Sequence, residues 1–146
     1  MDRYRYRFRS VWRLAAPPDA VRAVLERAEE YPAWWPQVRE VVPVDDTTAA
    51  ARFRSLLPYD LFLTVRALRR EPRVLEVALH GDLEGWARWT LTPDGTGTRA
   101  LYEQEAEVRT PLLRALAVPG RPLFRANHAW MMRRGRRGLA ARLSSV

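Results

Sequence analysis

The chain has 146 residues, of which 47% are hydrophobic, and a formal net charge of +8 at pH 7. This length fits one domain, residues 1–146, with a substantial core, and the hydrophobic share excludes a disordered chain. Cysteine is absent, which excludes disulfides and thiolate metal sites, and no apolar run is long enough to span a membrane. Because residues 1–10 contain no apolar signal segment, we expect a cytoplasmic protein.

Residues 3–13 alternate between two kinds of side chain, which predicts a strand with one buried face. One face carries Tyr4, Tyr6, Phe8, Ser10 and Trp12, and the other carries Arg3, Arg5, Arg7 and Arg9. The arginine row is typical of either a nucleic-acid contact or a solvated outer face of a sheet.

Two short helical segments follow. Pro17 and Pro18 predict the start of a helix that ends near Ala28 or Glu29. Residues 31–36, with prolines at positions 32 and 36, predict a short helical turn. We expect either Trp34 or Trp35 to point inward and the other to line an opening, although both could equally serve as packing anchors.

The middle of the chain predicts successive short strands. Their ranges are 38–44, 49–57, 61–68, 74–80, 83–91 and 98–109. Pro43 indicates a bulge or a sheet edge, and the glycines in residues 92–97 indicate a turn.

The last of these strands carries an acidic row, formed by Glu103, Glu105 and Glu107. If the first and last strands are neighbours, these residues face the arginine row, and each opposite-charge pair stabilises the sheet by roughly 0.2–1 kcal/mol. The arginine row would then be largely neutralised, so we consider nucleic-acid binding unlikely.

The chain ends in a segment that predicts a helical turn at residues 112–118 and a long helix from about Pro122 to Val146. At about 100° per residue, one face of the long helix holds Phe124, Asn127, His128, Met131, Gly135, Gly138, Leu139 and Arg142. Arg125, Arg133, Arg136 and Arg137 lie elsewhere. The two glycines cost helix stability, which indicates that another backbone or a ligand comes close; we expect the sheet to be that neighbour.

Several stretches, in this order, resemble the polyketide cyclase/dehydrase-like branch of the SRPBCC superfamily, which includes START lipid-transfer domains and birch-pollen allergens. They are residues 31–36, 81–85, 89–91, 94–99 and 127–135, with Gly138 and Leu139. The resemblance implies an α+β helix-grip fold: a curved seven-stranded antiparallel sheet wraps around a long C-terminal helix, with two short helices between strands one and two. It also implies an apolar cavity and adjacent first and last strands, but no single chemistry.

On this basis we expect the chain to bind a hydrophobic or polycyclic small molecule, such as a lipid, a polyketide or a quinone-like compound, between sheet and helix. The candidate ligand-binding residues are Trp34, Trp35, Tyr59, Arg66, Trp89, Tyr102, Gln104, Phe124, Asn127, His128 and Met131. No metal ligands occur at suitable spacing, and we expect no metal and no other cofactor.

Two alternatives remain open. A cyclase, aromatase or dehydratase acting on a polyketide-like substrate would use His128 as its acid or base with help from a tyrosine or an arginine, because a buried histidine can exchange a proton near neutral pH. An interaction module or polyanion binder, with at most weak contact to an anionic surface, would use Arg133, Arg134, Arg136 and Arg137.

Overall fold

The computed structural model describes residues 4–54, 60–110, 114–115 and 120–144. The strands are β1 (Arg5–Leu14), β2 (Val38–Pro43), β3 (Thr48–Arg54), β4 (Asp60–Arg70), β5 (Val74–Gly81), β6 (Leu83–Asp94) and β7 (Gly97–Val108). The helices are α1 (Pro18–Leu25), α2 (Tyr31–Trp34) and α3 (Arg121–Ser144), with a 3₁₀ turn at Ala28–Glu30. This order confirms the predicted helix-grip fold.

The seven strands form one antiparallel sheet in the order β1-β7-β6-β5-β4-β3-β2. The first and last strands are therefore neighbours, as predicted, and the two charged rows face each other: Arg5 lies opposite Glu107, Arg7 opposite Glu105 and Arg9 opposite Glu103. Ion pairs of 3.0 and 3.2 Å join Glu105 to Arg5 and Arg7. The arginine row is thus matched by carboxylates on the outer face, while Arg3 lies outside the described residues.

Several helix, strand and turn boundaries in the structure differ from the predicted ones. Helix α1 ends at Leu25 because the backbone at Arg27 (φ −92°, ψ 72°) leaves the helical region before the 3₁₀ turn. The predicted turn at 92–97 is shorter, since Asp94 pairs with Gly97 and Gly95 turns the chain at φ +61°. Strand β3 ends at Arg54, so the rest of the 49–57 prediction falls outside the described residues. Of the predicted turn at 112–118, only residues 114 and 115 are described, and they are helical.

Pro43 lies in β2, which is an edge strand of the sheet, in agreement with the prediction. Proline has no N–H to donate, so it is tolerated at an edge.

Helix α3 packs against α2 and the inner face of the sheet around a tryptophan cluster. The ring centroids of Trp12 lie 4.7 Å from Trp89 and 5.5 Å from Trp35, and Trp35 stacks on Trp34 at 5.5 Å. All four rings are buried. They join α2, β1 and β6 into one core beneath the C-terminal half of α3.

The glycines of α3 pack against the end of α2 and the residue that follows it, so the expectation that the sheet is their close neighbour was wrong. A Cβ at Gly138 would overlap the carbonyl oxygen of Trp34, and a Cβ at Gly135 would overlap the indole of Trp35. The more general prediction, that another backbone approaches here, is confirmed at Gly138. Within the described ranges, no helix is both long and apolar enough to cross a membrane.

Candidate ligand cavity

A cavity of about 150 Å³ lies between the inner face of the sheet and the N-terminal half of α3. Strands β1 and β3–β7 form its floor, Trp35 closes one end, and α3 covers it. The lining residues are Tyr6, Phe8, Trp35, Phe53, Leu61, Leu63, Leu79, Leu83, Tyr102, Gln104, Ala106, Val108, Phe124, Asn127, His128, Met131 and Met132.

Period-two alternation explains why this lining is neutral. In β7 the side chains of Tyr102, Gln104, Ala106 and Val108 point inward, whereas the intervening glutamates face the arginines of β1 on the outer side. No Asp, Glu, Lys or Arg is among the described residues that line the cavity.

His128 enters the cavity from α3 and stacks on Phe8, with ring centroids 3.8 Å apart and planes within 11°. The ring centroid of Tyr102, on the neighbouring strand β7, lies 6.0 Å from that of His128. Burial lowers the pKa of His128 from 6.5 to about 4, so the imidazole is neutral near pH 7. An imidazole with so low a pKa is a weak base near neutral pH.

Tyr102 and Gln104 form the other polar part of the wall. The hydroxyl of Tyr102 donates a hydrogen bond to Oε1 of Gln104 at 2.5 Å. Burial raises the pKa of Tyr102, so its hydroxyl stays protonated, and only 9% of Gln104 is exposed. Asn127 lines the same space and donates to the Met131 sulfur at 3.8 Å.

The structure brings seven of the predicted site residues to the cavity. They are Trp35, Tyr102, Gln104, Phe124, Asn127, His128 and Met131. The other histidine, His80, is exposed and contacts Glu84 at 2.8 Å.

Three of the described predicted residues do not line the cavity. Trp34 and Trp89 are buried in the tryptophan cluster and are not among the lining residues. Arg66 is exposed on the outer face of β4, because it is Leu63 and Val65 that point inward, so its assignment to the cavity was wrong. Tyr59 lies outside the described residues.

Sequence reasoning missed much of the apolar wall. Tyr6 and Phe8 lie on the face of the first strand that carries its aromatic residues, opposite the arginine row, so that signal was present. Met132 and the leucines of β4, Leu61 and Leu63, gave no such signal, since apolar residues in a packed core produce the same pattern.

The outer surface of α3 is strongly cationic, as the helical periodicity predicted. Arg125, Arg133, Arg136 and Arg137 are exposed and make no ion pair with any other described residue. Arg134 is also exposed and lies 5.8 Å from the centroid of the Trp130 ring. Across the described residues, no cluster of three or more His, Asp or Glu side chains is placed to hold a metal ion.

Residues 5–144 match the profile of a family described as polyketide cyclase / dehydrase and lipid transport. No curated protein sequence matches the chain.

Solved structures show the same fold at low identity. The protein TTHA0849 from Thermus thermophilus is 17% identical, with a TM-score of 0.80 over 96% of this chain and 98% of that one. A START superfamily protein from Mycobacterium smegmatis is 15% identical, with a TM-score of 0.78 over 95% and 97% of the two chains. The aromatase/cyclase ZhuI from Streptomyces sp. R1128 is 15% identical, with a TM-score of 0.75 over 96% and 94%.

Proposed function

The chain belongs to the polyketide cyclase/dehydrase and lipid-transport family, and we propose that it binds an apolar small molecule in the cavity between the sheet and α3. The observation that supports this function most directly is the cavity itself, whose wall is mainly leucine, aromatic and methionine side chains with a few neutral polar groups. Ligand pockets in proteins have this composition. Burying an apolar ligand there would contribute roughly 25 cal/mol per Å² of apolar surface removed from water.

The size of the cavity limits the ligand. Ligand pockets for drug-sized molecules usually have volumes of about 300–1,000 Å³, and this cavity has about 150 Å³. A polycyclic polyketide or a long lipid therefore requires side chains of the wall to move. Met131 and Met132 suit such a movement, because methionine has several flexible torsions and adapts to irregular shapes.

The test is direct binding of an apolar probe by the full chain. Toluene is added to purified protein, and its dissociation constant is measured by ligand-observed NMR. We expect saturable binding by the wild-type chain and weaker binding by Ala106→Leu, since that larger side chain fills part of the cavity.

The matched control is Ala141→Leu, which adds the same atoms to an exposed position of α3. This variant is expected to bind toluene as the wild type does. Absence of saturable binding by a folded wild-type chain, or equal binding by both variants, would contradict the proposal. Native mass spectrometry of protein purified without denaturation then identifies a ligand retained from the cell.

A further inference from the structure

The cavity excludes charge. All seventeen lining residues are neutral near pH 7: burial lowers the pKa of His128, and both tyrosines have pKa values raised above their ordinary value of 10. The internal segments outside the described residues, 55–59, 111–113 and 116–119, contain no charged side chain in the sequence. The guanidinium of Arg121 lies 4.4 Å from the ring centroid of Tyr6 but is not among the lining residues. A carboxylate or ammonium group entering this space would lose its hydration without gaining an ion pair to any lining residue, which is strongly unfavourable.

The cavity is nevertheless not uniformly apolar. Gln104 uses its Oε1 to accept from Tyr102, and its Nε2 amide makes no hydrogen bond to another described residue. Neither ring nitrogen of His128 has a hydrogen-bond partner among the described residues. Both residues line the cavity with hydrogen-bonding capacity that no described residue uses, so a polar group on a ligand can take it up.

The two groups differ in hydrogen-bonding character. The Gln104 amide can only donate from Nε2, and the neutral imidazole of His128 offers one nitrogen that accepts. A hydroxyl is a small neutral group that both accepts and donates at a single atom. A ligand hydroxyl therefore suits this pair better than a carbonyl, which only accepts.

The volume of the cavity and the aromatic side chains in its wall suit a ligand with one aromatic ring. A dry apolar cavity of about 150 Å³ accommodates a molecule the size of benzene, and this cavity has about that volume. Aromatic side chains surround it, with Tyr6 and Phe124 5.7 Å apart on one side and Phe8 stacked with His128 on another. Edge and offset contacts between such rings add stabilisation beyond the buried area.

We propose that this cavity selects a neutral single-ring hydroxyaromatic compound of the phenol class, with its ring among the aromatic side chains and its hydroxyl bonded to Gln104 and His128. This inference rests on the proposed function and specifies its ligand chemistry. It assigns Gln104 and His128 as the residues that determine specificity.

The experiment compares four probes of similar size with the full chain by ligand-observed NMR at neutral pH. They are toluene, 4-methylphenol, 4-methylanisole (which cannot donate) and 4-methylbenzoate (which is charged). We expect 4-methylphenol to bind about tenfold more tightly than toluene, as one to two net hydrogen bonds would give. 4-Methylanisole should bind no better than toluene, and 4-methylbenzoate should show no saturable binding.

Two variants identify the groups involved. Gln104→Leu and His128→Phe should each reduce the affinity for 4-methylphenol to near that for toluene, while toluene affinity changes less than about twofold. Arg66→Gln, on the outer face of the sheet, is the control and should leave both affinities unchanged. Should either cavity variant fail to fold, the preference of the wild-type chain among the four probes still decides the question.

Equal affinity for 4-methylphenol and toluene, or saturable binding of 4-methylbenzoate, would overturn this inference and leave the proposed apolar-ligand function intact. Failure of all four probes to bind would overturn both.

Discussion

The contact between Gly138 and Trp34 predicts how Gly138→Ala changes the free energy of unfolding. Packing predicts a decrease, whereas helix propensity predicts an increase. Gly138 lies inside α3, where replacing glycine by alanine normally stabilises a helix by about 1 kcal/mol. A Cβ at this position, however, would overlap the backbone carbonyl oxygen of Trp34. A backbone atom at the end of α2 cannot move aside as a flexible side chain does, so α2 and α3 must separate.

The expected cost follows from these two opposing effects. Forcing an extra methyl group into a packed interior costs about 1–3 kcal/mol, occasionally more, and the overlap with backbone places Gly138→Ala at the upper end of that range. Subtracting the helix-propensity gain of about 1 kcal/mol leaves a net destabilisation of about 2 kcal/mol. Domains of this kind have unfolding free energies of about 5–15 kcal/mol, so the variant should still fold.

The assay is urea denaturation of the wild type and the variant, followed by circular dichroism, with the free energy of unfolding obtained by linear extrapolation. Ala129→Gly, at an exposed position of the same helix, is the control for propensity and should cost about 1 kcal/mol. If Gly138→Ala proves as stable as the wild type or more stable, the close approach of α2 to α3 is not as we describe it.

Three further predictions concern stability and use the same denaturation assay. Lowering the pH from 6.5 to about 4 should reduce the free energy of unfolding by about 3 kcal/mol through His128, because the unfolded chain binds a proton at this residue and the folded chain, where its pKa is about 4, does not. His128→Phe should remove this part of the pH dependence. A variant with the same pH profile as the wild type would contradict the prediction. Thr98→Val should cost about 1–2 kcal/mol, because the buried Thr98 hydroxyl donates to the Ala16 carbonyl oxygen at 2.7 Å, whereas Thr98→Ser should retain most of the stability. Arg142→Gln, which breaks a partly exposed 2.6 Å ion pair with Glu30, should cost less than about 1 kcal/mol, and a larger loss would show that the pair does more than join two surface side chains.

The fold could be predicted from the sequence because its signals are local. Residues 3–13 and 98–109 alternate clearly, and their rows of opposite charge indicated their pairing, which the register of β1 and β7 confirms. The helical periodicity of α3 likewise separated its inner residues from its exposed arginines. Each of these patterns is contained within one element or a pair of elements.

The errors arose where the pattern was ambiguous or the partner was distant in the chain. Residues 61–68 carry apolar side chains on both faces, and Phe62 is 59% exposed, so alternation could not decide which way Arg66 points. The neighbour of Gly138 is Trp34, more than a hundred residues earlier, and no local pattern reports such a contact.

The cavity was the part least accessible to sequence reasoning. A tryptophan in a packed core and one beside a void have the same local pattern, and only the structure separates Trp35, which lines the cavity, from Trp34 and Trp89, which do not.

The distribution of charge is more informative about function than its total. The net charge of +8 points towards an anionic partner, yet the alternation that builds the sheet places charged side chains on the outside and leaves a neutral inner face. The cationic surface and the neutral cavity are therefore separate features of the molecule. Outer arginines such as Arg133 and Arg136 are exposed and do not line the cavity, whereas the proposed selection of a cavity ligand rests on uncharged groups such as Gln104 and His128. Removing outer arginines should consequently leave ligand affinity unchanged, while a single neutral substitution inside the cavity should alter it.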